Sequence, residues 1–222
     1  MSALSIARQK MVDSQVRPND VTDRGIIDAM LTVPRESFVP ASQQGLAYLD
    51  LDLDVSGSGG ARRFLIKPLV TAKLLQATEI TETDNVLIVG CATGYIAALV
   101  AKLTTGKIVA TEPESTLAAK AKEVLTGLGF PRVTLSTAAC PDGDPAGAPY
   151  DVIILNGATE VIPERLLQQI KRNGRLVGVF ATSAPQHAAI VTRSNGEFGH
   201  RTLFDATAPV LPGLERTPAF VF

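Results

Sequence analysis

The chain has no tryptophan, two cysteines and two histidines in 222 residues. Each scarcity removes a class of protein. Cys91 and Cys140 form no CxxC pair and sit in different settings, and His187 and His200 add too little for a ligand set, so neither a disulfide framework nor a metal centre is expected. Charge of one sign is also missing, since 21 Lys plus Arg stand against 22 Asp plus Glu. That balance argues against nucleic acid or an anionic membrane as partner. No run approaches the roughly 20 uncharged apolar residues of a membrane span. The opening MSALSIARQK is charged by residue 8 and has no apolar leader core, so a cytoplasmic protein is expected.

What the chain does have is 45% apolar content, enough for one core in a length typical of one domain. Residues 1–222 are therefore read as a single domain, with 1–83 forming N-terminal helices and a loop segment and 84–222 an α/β core. Ile6 to Val16 and Thr22 to Leu31 read as amphipathic helices separated by Arg17-Pro18-Asn19-Asp20, with Asp20 or Thr22 as the cap of the second. Leu49-Asp50-Leu51-Asp52-Leu53-Asp54-Val55 alternates strictly, which predicts a half-buried strand with an acidic outer face rather than a cation site. The Gly- and Ser-rich stretch Ser56 to Arg63 reads as a mobile loop, and Pro68 opens a helix running to Thr78.

From residue 84, apolar runs near 85–90, 107–111, 132–136, 151–155, 175–182, 187–193 and 200–206 read as strands, with a short terminal strand at 218–222. Helices are expected near 94–104, 114–128 and 160–172, the last opened by Pro163 and closed by Asn173-Gly174. Alternating βα units imply a parallel sheet covered on both faces, and Ser194-Asn195-Gly196 marks an antiparallel C-terminal hairpin.

The densest functional signal is Val86-Leu87-Ile88-Val89-Gly90-Cys91-Ala92-Thr93-Gly94-Tyr95, followed by Lys107-Ile108-Val109-Ala110-Thr111 and then Glu112. A strand running into a small-residue turn, then a helix, then a second strand with an acid at its tip holds a nucleoside in βαβ units. A nicotinamide turn would want glycine at 92 and 95, which are Ala and Tyr. Asn156 and Gly157, past the fourth strand, fall on the same carboxyl edge. Cys91 reads as a small turn residue, because nothing near it in sequence would activate a thiol. Arg62, Arg63 and Lys67 are candidates for capturing a substrate carboxylate, against the plainer reading of a solvated loop.

Met11-Val12-Asp13-Ser14-Gln15-Val16-Arg17, the segment Ala29 to Pro40 with its Val33-Pro34-Arg35-Glu36-Ser37-Phe38-Val39-Pro40, the 86–95 turn and Tyr150-Asp151-Val152-Ile153-Ile154 together resemble the protein-L-isoaspartate O-methyltransferases. The resemblance implies an α/β, Rossmann-like methyltransferase sheet, mostly parallel, seven-stranded with one antiparallel strand, under an N-terminal helical cover. It also implies S-adenosylmethionine as methyl donor and transfer to the isoaspartyl carboxylate of a damaged protein or peptide. Carried over by position, Gly90, Cys91, Ala92, Thr93 and Gly94 form the cofactor turn, Glu112 takes the ribose hydroxyls, and Cys140 and Asn156 border the pocket. Four positions depart from the family pattern. Ile88 replaces the strand acid, Ala92 the middle glycine, and Ala138-Ala139-Cys140 the Gly-Asp-Gly that reads adenine, while Ile66 replaces the serine of the substrate loop. No catalytic residue is assigned. These departures imply weakened cofactor binding and reduced or altered activity; a non-catalytic, ligand-responsive or protein-binding module of the same fold is the alternative.

Overall fold

The computed structural model describes residues 2–57 and 60–217. The expected strand at 218–222 and the middle of the 56–63 loop fall outside them. Helix α1 (Ala3–Met11) is capped by the Ser2 hydroxyl and runs on through a wider turn at Val12–Val16 and a tighter one at Arg17–Asn19. Helix α2 (Arg24–Thr32) starts later than the periodicity suggests. Its cap is Asp23, whose carboxylate accepts from the Ile26 amide at 2.9 Å, and not Asp20 or Thr22. One face of α2 buries Ile26, Ile27 and Met30, a helical stripe of the kind that seals a core.

The alternating 49–55 segment is not the predicted strand. Only Leu53–Asp54 (β1) pairs, antiparallel to Phe64–Leu65 (β2), while Leu49 and Leu51 are exposed. The aspartates explain the difference. Helix α3 (Pro68–Thr78) begins without a side-chain cap at Lys67, and Asp52 and Asp50 reach across to accept from the Lys67 and Leu69 amides at 2.9 and 3.1 Å. Orphan N–H groups at a helix start recruit carboxylates strongly. Here they hold both acids against the start of α3 and not along a strand face.

The main sheet contains β3 (Val86–Val89), β4 (Ile108–Thr111), β5 (Val133–Ser136), β6 (Tyr150–Thr159), β7 (Ile170–Phe180), β8 (His187–Ser194) and β9 (Glu197–Asp205), in the order β5-β4-β3-β6-β7-β8-β9. Pairing is parallel from β5 through β7 and antiparallel on both sides of β8, so β8 alone runs against the rest. Helices α4 (Tyr95–Leu103) and α5 (Ser115–Gly127) are the crossovers after β3 and β4. At the hairpin, Asn195 and Gly196 have φ of 51° and 91°, the two positive values that a two-residue turn matched to strand twist requires.

The helix expected over 160–172 is a single turn, α6 (Glu164–Leu167), and β7 already begins at Ile170. Tyr150 donates its amide to the Gln169 carbonyl, which ends the helix by opening the sheet. Asn173-Gly174 therefore lies inside β7, where the register between β6 and β7 slips, rather than at a helix end.

Successive strand residues face opposite layers. Val86 and Ile88 join Met11, Val16, Ile27, Met30, Phe38 and α4 in the core beneath the N-terminal cover. Leu87 and Val89 face the other layer with Ile153, Leu166, Phe180 and Leu211. The carboxyl ends of β3, β4 and β6 are left as the edge where open α/β sheets place ligands.

Candidate cofactor site

Gly90 ends β3 at φ 69°, a left-handed value that favours glycine. A side chain there would also collide with Leu211 at 2.6 Å and with the Arg63 guanidinium at 2.7 Å. Ala92 adopts φ 51° despite its Cβ, and Gly94 at φ 94° starts α4. The turn is fixed from several sides: the Cys91 amide donates to the Thr111 carbonyl at 2.9 Å, and the Thr93 hydroxyl donates to the Phe38 carbonyl at 2.6 Å. Tyr95 packs edge-on against Phe38, with ring centroids 5.5 Å apart, and carries the Arg35 guanidinium 4.8 Å over its ring.

Glu112 leaves β4 beside this turn and is wholly buried. Its carboxylate accepts from the Ala92 amide at 2.7 Å, a short charge-assisted contact. Asn156 arrives from the bulged part of β6, where pairing skips from Ile154 to Ala158, and its amide nitrogen donates to the Gly90 carbonyl at 2.9 Å. Cys140 closes the third side, its sulfur 3.4 Å from where a Gly90 Cβ would stand. The structure thus brings together Gly90, Cys91, Ala92, Thr93, Gly94, Glu112, Cys140 and Asn156. Among them, Gly90, Glu112, Cys140 and Asn156 converge on one point.

Burial pushes the Cys140 thiol up to about 12, and burial first, then the Glu112 charge, pushes Cys91 up as well. Both remain protonated.

The residue that sequence reasoning misassigned is Arg63. Its guanidinium lies 3% exposed in the centre of the convergence, donating to both Glu112 oxygens at 2.9–3.2 Å and to the Gly90 carbonyl at 2.8 Å. Burial opposes the charge, but the hydrogen bonds and charge of Glu112 outweigh it and hold the Arg63 pKa above its ordinary value. The supposed basic cluster is dispersed: Arg62 pairs with Asp54 at 2.8 Å, and Lys67 reaches the Thr207 hydroxyl at 3.2 Å. These cations do not meet around a substrate carboxylate. A charged acid at the tip of a buried strand needs a partner of opposite sign, and that need is the signal by which an arginine of the preceding loop could have been found.

Ile66, at the substrate-loop serine position, is buried with Leu74, Val179 and Ala208, and its carbonyl accepts from Arg35 at 2.8 Å. Ile88 is buried in the core under the cover, while Ala139 is exposed in a turn whose carbonyl accepts from Asp142 and Gly143. No principal cavity among the described residues is lined by Gly90, Glu112, Cys140 or Asn156. The nearest, of about 260 Å³, lies beyond Thr93 against Phe38, Val55 and Leu117. With Glu112 engaged by Arg63 and the space over Gly90 taken by Arg63 and Leu211, a nucleoside has room here only where the Arg63 side chain gives way.

The order of the sheet, its single reversed strand and the glycine turn beside a strand-tip acid define a Rossmann-like methyltransferase. A sequence model of the protein-L-isoaspartate(D-aspartate) O-methyltransferase family matches residues 7–207. The chain belongs to that family. It is 30% identical over 220 residues to a protein-L-isoaspartate O-methyltransferase of Koribacter versatilis, covering 99% of this chain and 97% of that one. It is 34% identical over 191 residues to one of Opitutus terrae, 86% of this chain and 80% of that one. A solved protein-L-isoaspartate O-methyltransferase superposes with a TM-score of 0.82 at 24% identity, over 93% of this chain and 66% of that chain. A second, a Plasmodium falciparum protein solved with S-adenosyl-L-homocysteine, gives 0.77 at 16% identity, over 95% and 99%. At those identities the structures speak for the fold.

Proposed function

We propose that this chain is an S-adenosylmethionine-dependent O-methyltransferase acting on isoaspartyl carboxylates of damaged protein, the activity of the family to which it belongs. The observation that carries the reading is the convergence of the Gly90 turn, Glu112 and Asn156 at the carboxyl edge of β3, β4 and β6. Gly90 through Gly94, Glu112, Cys140 and Asn156 are the proposed cofactor residues. The acceptor carboxylate is ionised at neutral pH and asks for no general base, which accords with a cleft whose two thiols stay protonated.

Ile88, Ala139 and Ile66, at three positions where the family pattern has polar groups, support the further reading that cofactor binding is weak and turnover low. Residues 1–222 are proposed to act as one domain on protein or peptide substrates in the cytoplasm. Among the described residues no helix is long and apolar enough to cross a membrane.

Calorimetric titration with S-adenosylmethionine and S-adenosylhomocysteine, together with methyl transfer to an isoaspartyl peptide and its normal aspartyl counterpart, tests the proposal. Methylation confined to the isoaspartyl peptide is expected, at a low rate. Binding without any transfer would favour the non-catalytic module, and absence of both would sink the assignment.

A further inference from the structure

We propose that Arg63 is a built-in competitor for the nucleoside, so that a ligand enters the cleft only by taking the Glu112 carboxylate and the space over Gly90 from this side chain. The inference rests on the cofactor reading above and adds what sets affinity there. Three independent observations carry it. Arg63 donates to both oxygens of Glu112, the acid at the tip of β4, leaving that carboxylate committed to the guanidinium and the Ala92 amide. The same guanidinium lies against Gly90, the point where the turn's lack of a side chain would admit a ligand. Finally, the backbone beside Arg63 is tied down: its amide donates to the Ser56 hydroxyl at 2.7 Å, and a Cβ at Gly60 would stand 3.2 Å from Glu114, just before α5.

Two physical effects make the competition strong. A ribose diol is neutral and can offer Glu112 two hydrogen bonds, whereas the guanidinium offers a bidentate pair plus a full opposite charge in a buried setting. The low dielectric around the pair also strengthens the attraction that a ligand must overcome to separate it. Arg63 is thus an affinity-determining residue: a ligand binds only by as much as its contacts with Glu112 and Gly90 exceed this pairing.

The test is equilibrium binding of S-adenosylhomocysteine and adenosine to the full chain, comparing wild type with Arg63→Gln and Arg63→Lys, each first shown to be folded by circular dichroism and thermal melting. Arg63→Gln removes the charge while leaving Glu112 a hydrogen-bond donor, and should tighten both ligands at least about tenfold, about 1.4 kcal/mol. Adding Glu112→Gln should cancel the gain. In ¹⁵N-labelled wild type, the Arg63 Nε–H should exchange slowly with solvent and lose that protection when adenosine saturates the protein. Tight binding by wild type with no gain in either folded variant, or binding with the Arg63 Nε–H still protected, overturns the competition and leaves the cofactor reading standing. If neither wild type nor either variant binds either ligand, Arg63 is not what excludes them and both readings fall.

Discussion

The Thr93 hydroxyl donates a 2.6 Å hydrogen bond to the Phe38 carbonyl, joining the glycine turn to the N-terminal cover across 55 positions of sequence. Thr93 is buried, which shields the bond from bulk water. Thr93→Val keeps the shape and removes the donor, leaving a buried carbonyl unsatisfied at a cost of about 1–3 kcal/mol. Urea denaturation should show a lower midpoint with an unchanged slope. A change below about 0.5 kcal/mol would mean that the cover is not held through the turn.

Ala92 and Ala97 are both wholly buried, but Ala92 has φ 51° while Ala97 sits inside α4. The same change to glycine should therefore have different costs. Ala97→Gly loses a methyl, about 0.8 kcal/mol, and about 1 kcal/mol of helix propensity. Ala92→Gly loses the methyl too, yet relieves a left-handed residue worth roughly 1–2 kcal/mol, against which glycine's added chain entropy costs about 0.5–1 kcal/mol. Near-neutral stability is expected for Ala92→Gly and a loss of about 2 kcal/mol for Ala97→Gly. Equal losses in thermal melts would show that the Ala92 backbone carries no strain.

Asp84 links the start of the sheet to its centre, accepting from the Thr81 amide and hydroxyl at 3.1 and 2.7 Å and pairing with Arg175 at 2.9 Å. Burial would raise its pKa, but these partners together hold it below the ordinary 3.8. The sign follows from linkage: a carboxyl with a depressed folded pKa stabilises fully above its unfolded pKa, and that contribution is lost as pH falls through the folded value. Asp84→Asn should destabilise the chain at pH 7, and the gap to wild type should close below about pH 4, where the unfolded carboxyl protonates. A gap that is constant from pH 7 to pH 3 would contradict the ion pair.

The parallel half of the sheet was legible because β3, β4 and β6 are short apolar runs between turn signals, and the hairpin because Asn195-Gly196 fits one turn type. Two misreadings share a cause in longer-range demand. The aspartates at 50 and 52 alternate like a strand but answer the exposed amides of α3. The stretch 160–172 reads as a helix from Pro163 to Asn173-Gly174, yet β6 needs a partner from Ile170 onward and the sheet takes it. The candidate site was legible as a list of strand-tip and turn residues. Its occupant was not, since Arg63 and Glu112 lie 49 positions apart and an arginine after a glycine-rich loop ordinarily reads as solvated.

Ile88 shows how far the turn has been rebuilt. It occupies the middle of β3, in register between Ala110 and Ile154, wholly buried among the apolar residues that the N-terminal cover brings down on the sheet. An acid restored at this position would lie in that core. Ile88→Glu is expected to cost at least about 3 kcal/mol at pH 7, because a carboxylate without a cation beside it must either remain charged at low dielectric or take up a proton. Its folded pKa would be raised by burial. Between the unfolded and folded values the native state then binds more protons than the unfolded one, so stability should rise as pH falls from 7 to about 5, opposite in sign to the Asp84 effect. Ile88→Leu, similar in volume, should cost less than about 1.5 kcal/mol at either pH and serves as the reference. Urea titrations of the three proteins at both pH values decide the matter. Should Ile88→Glu match wild type in stability and also tighten S-adenosylhomocysteine, the strand position would still communicate with the cleft, and the packing assigned here to Ile88 would be wrong.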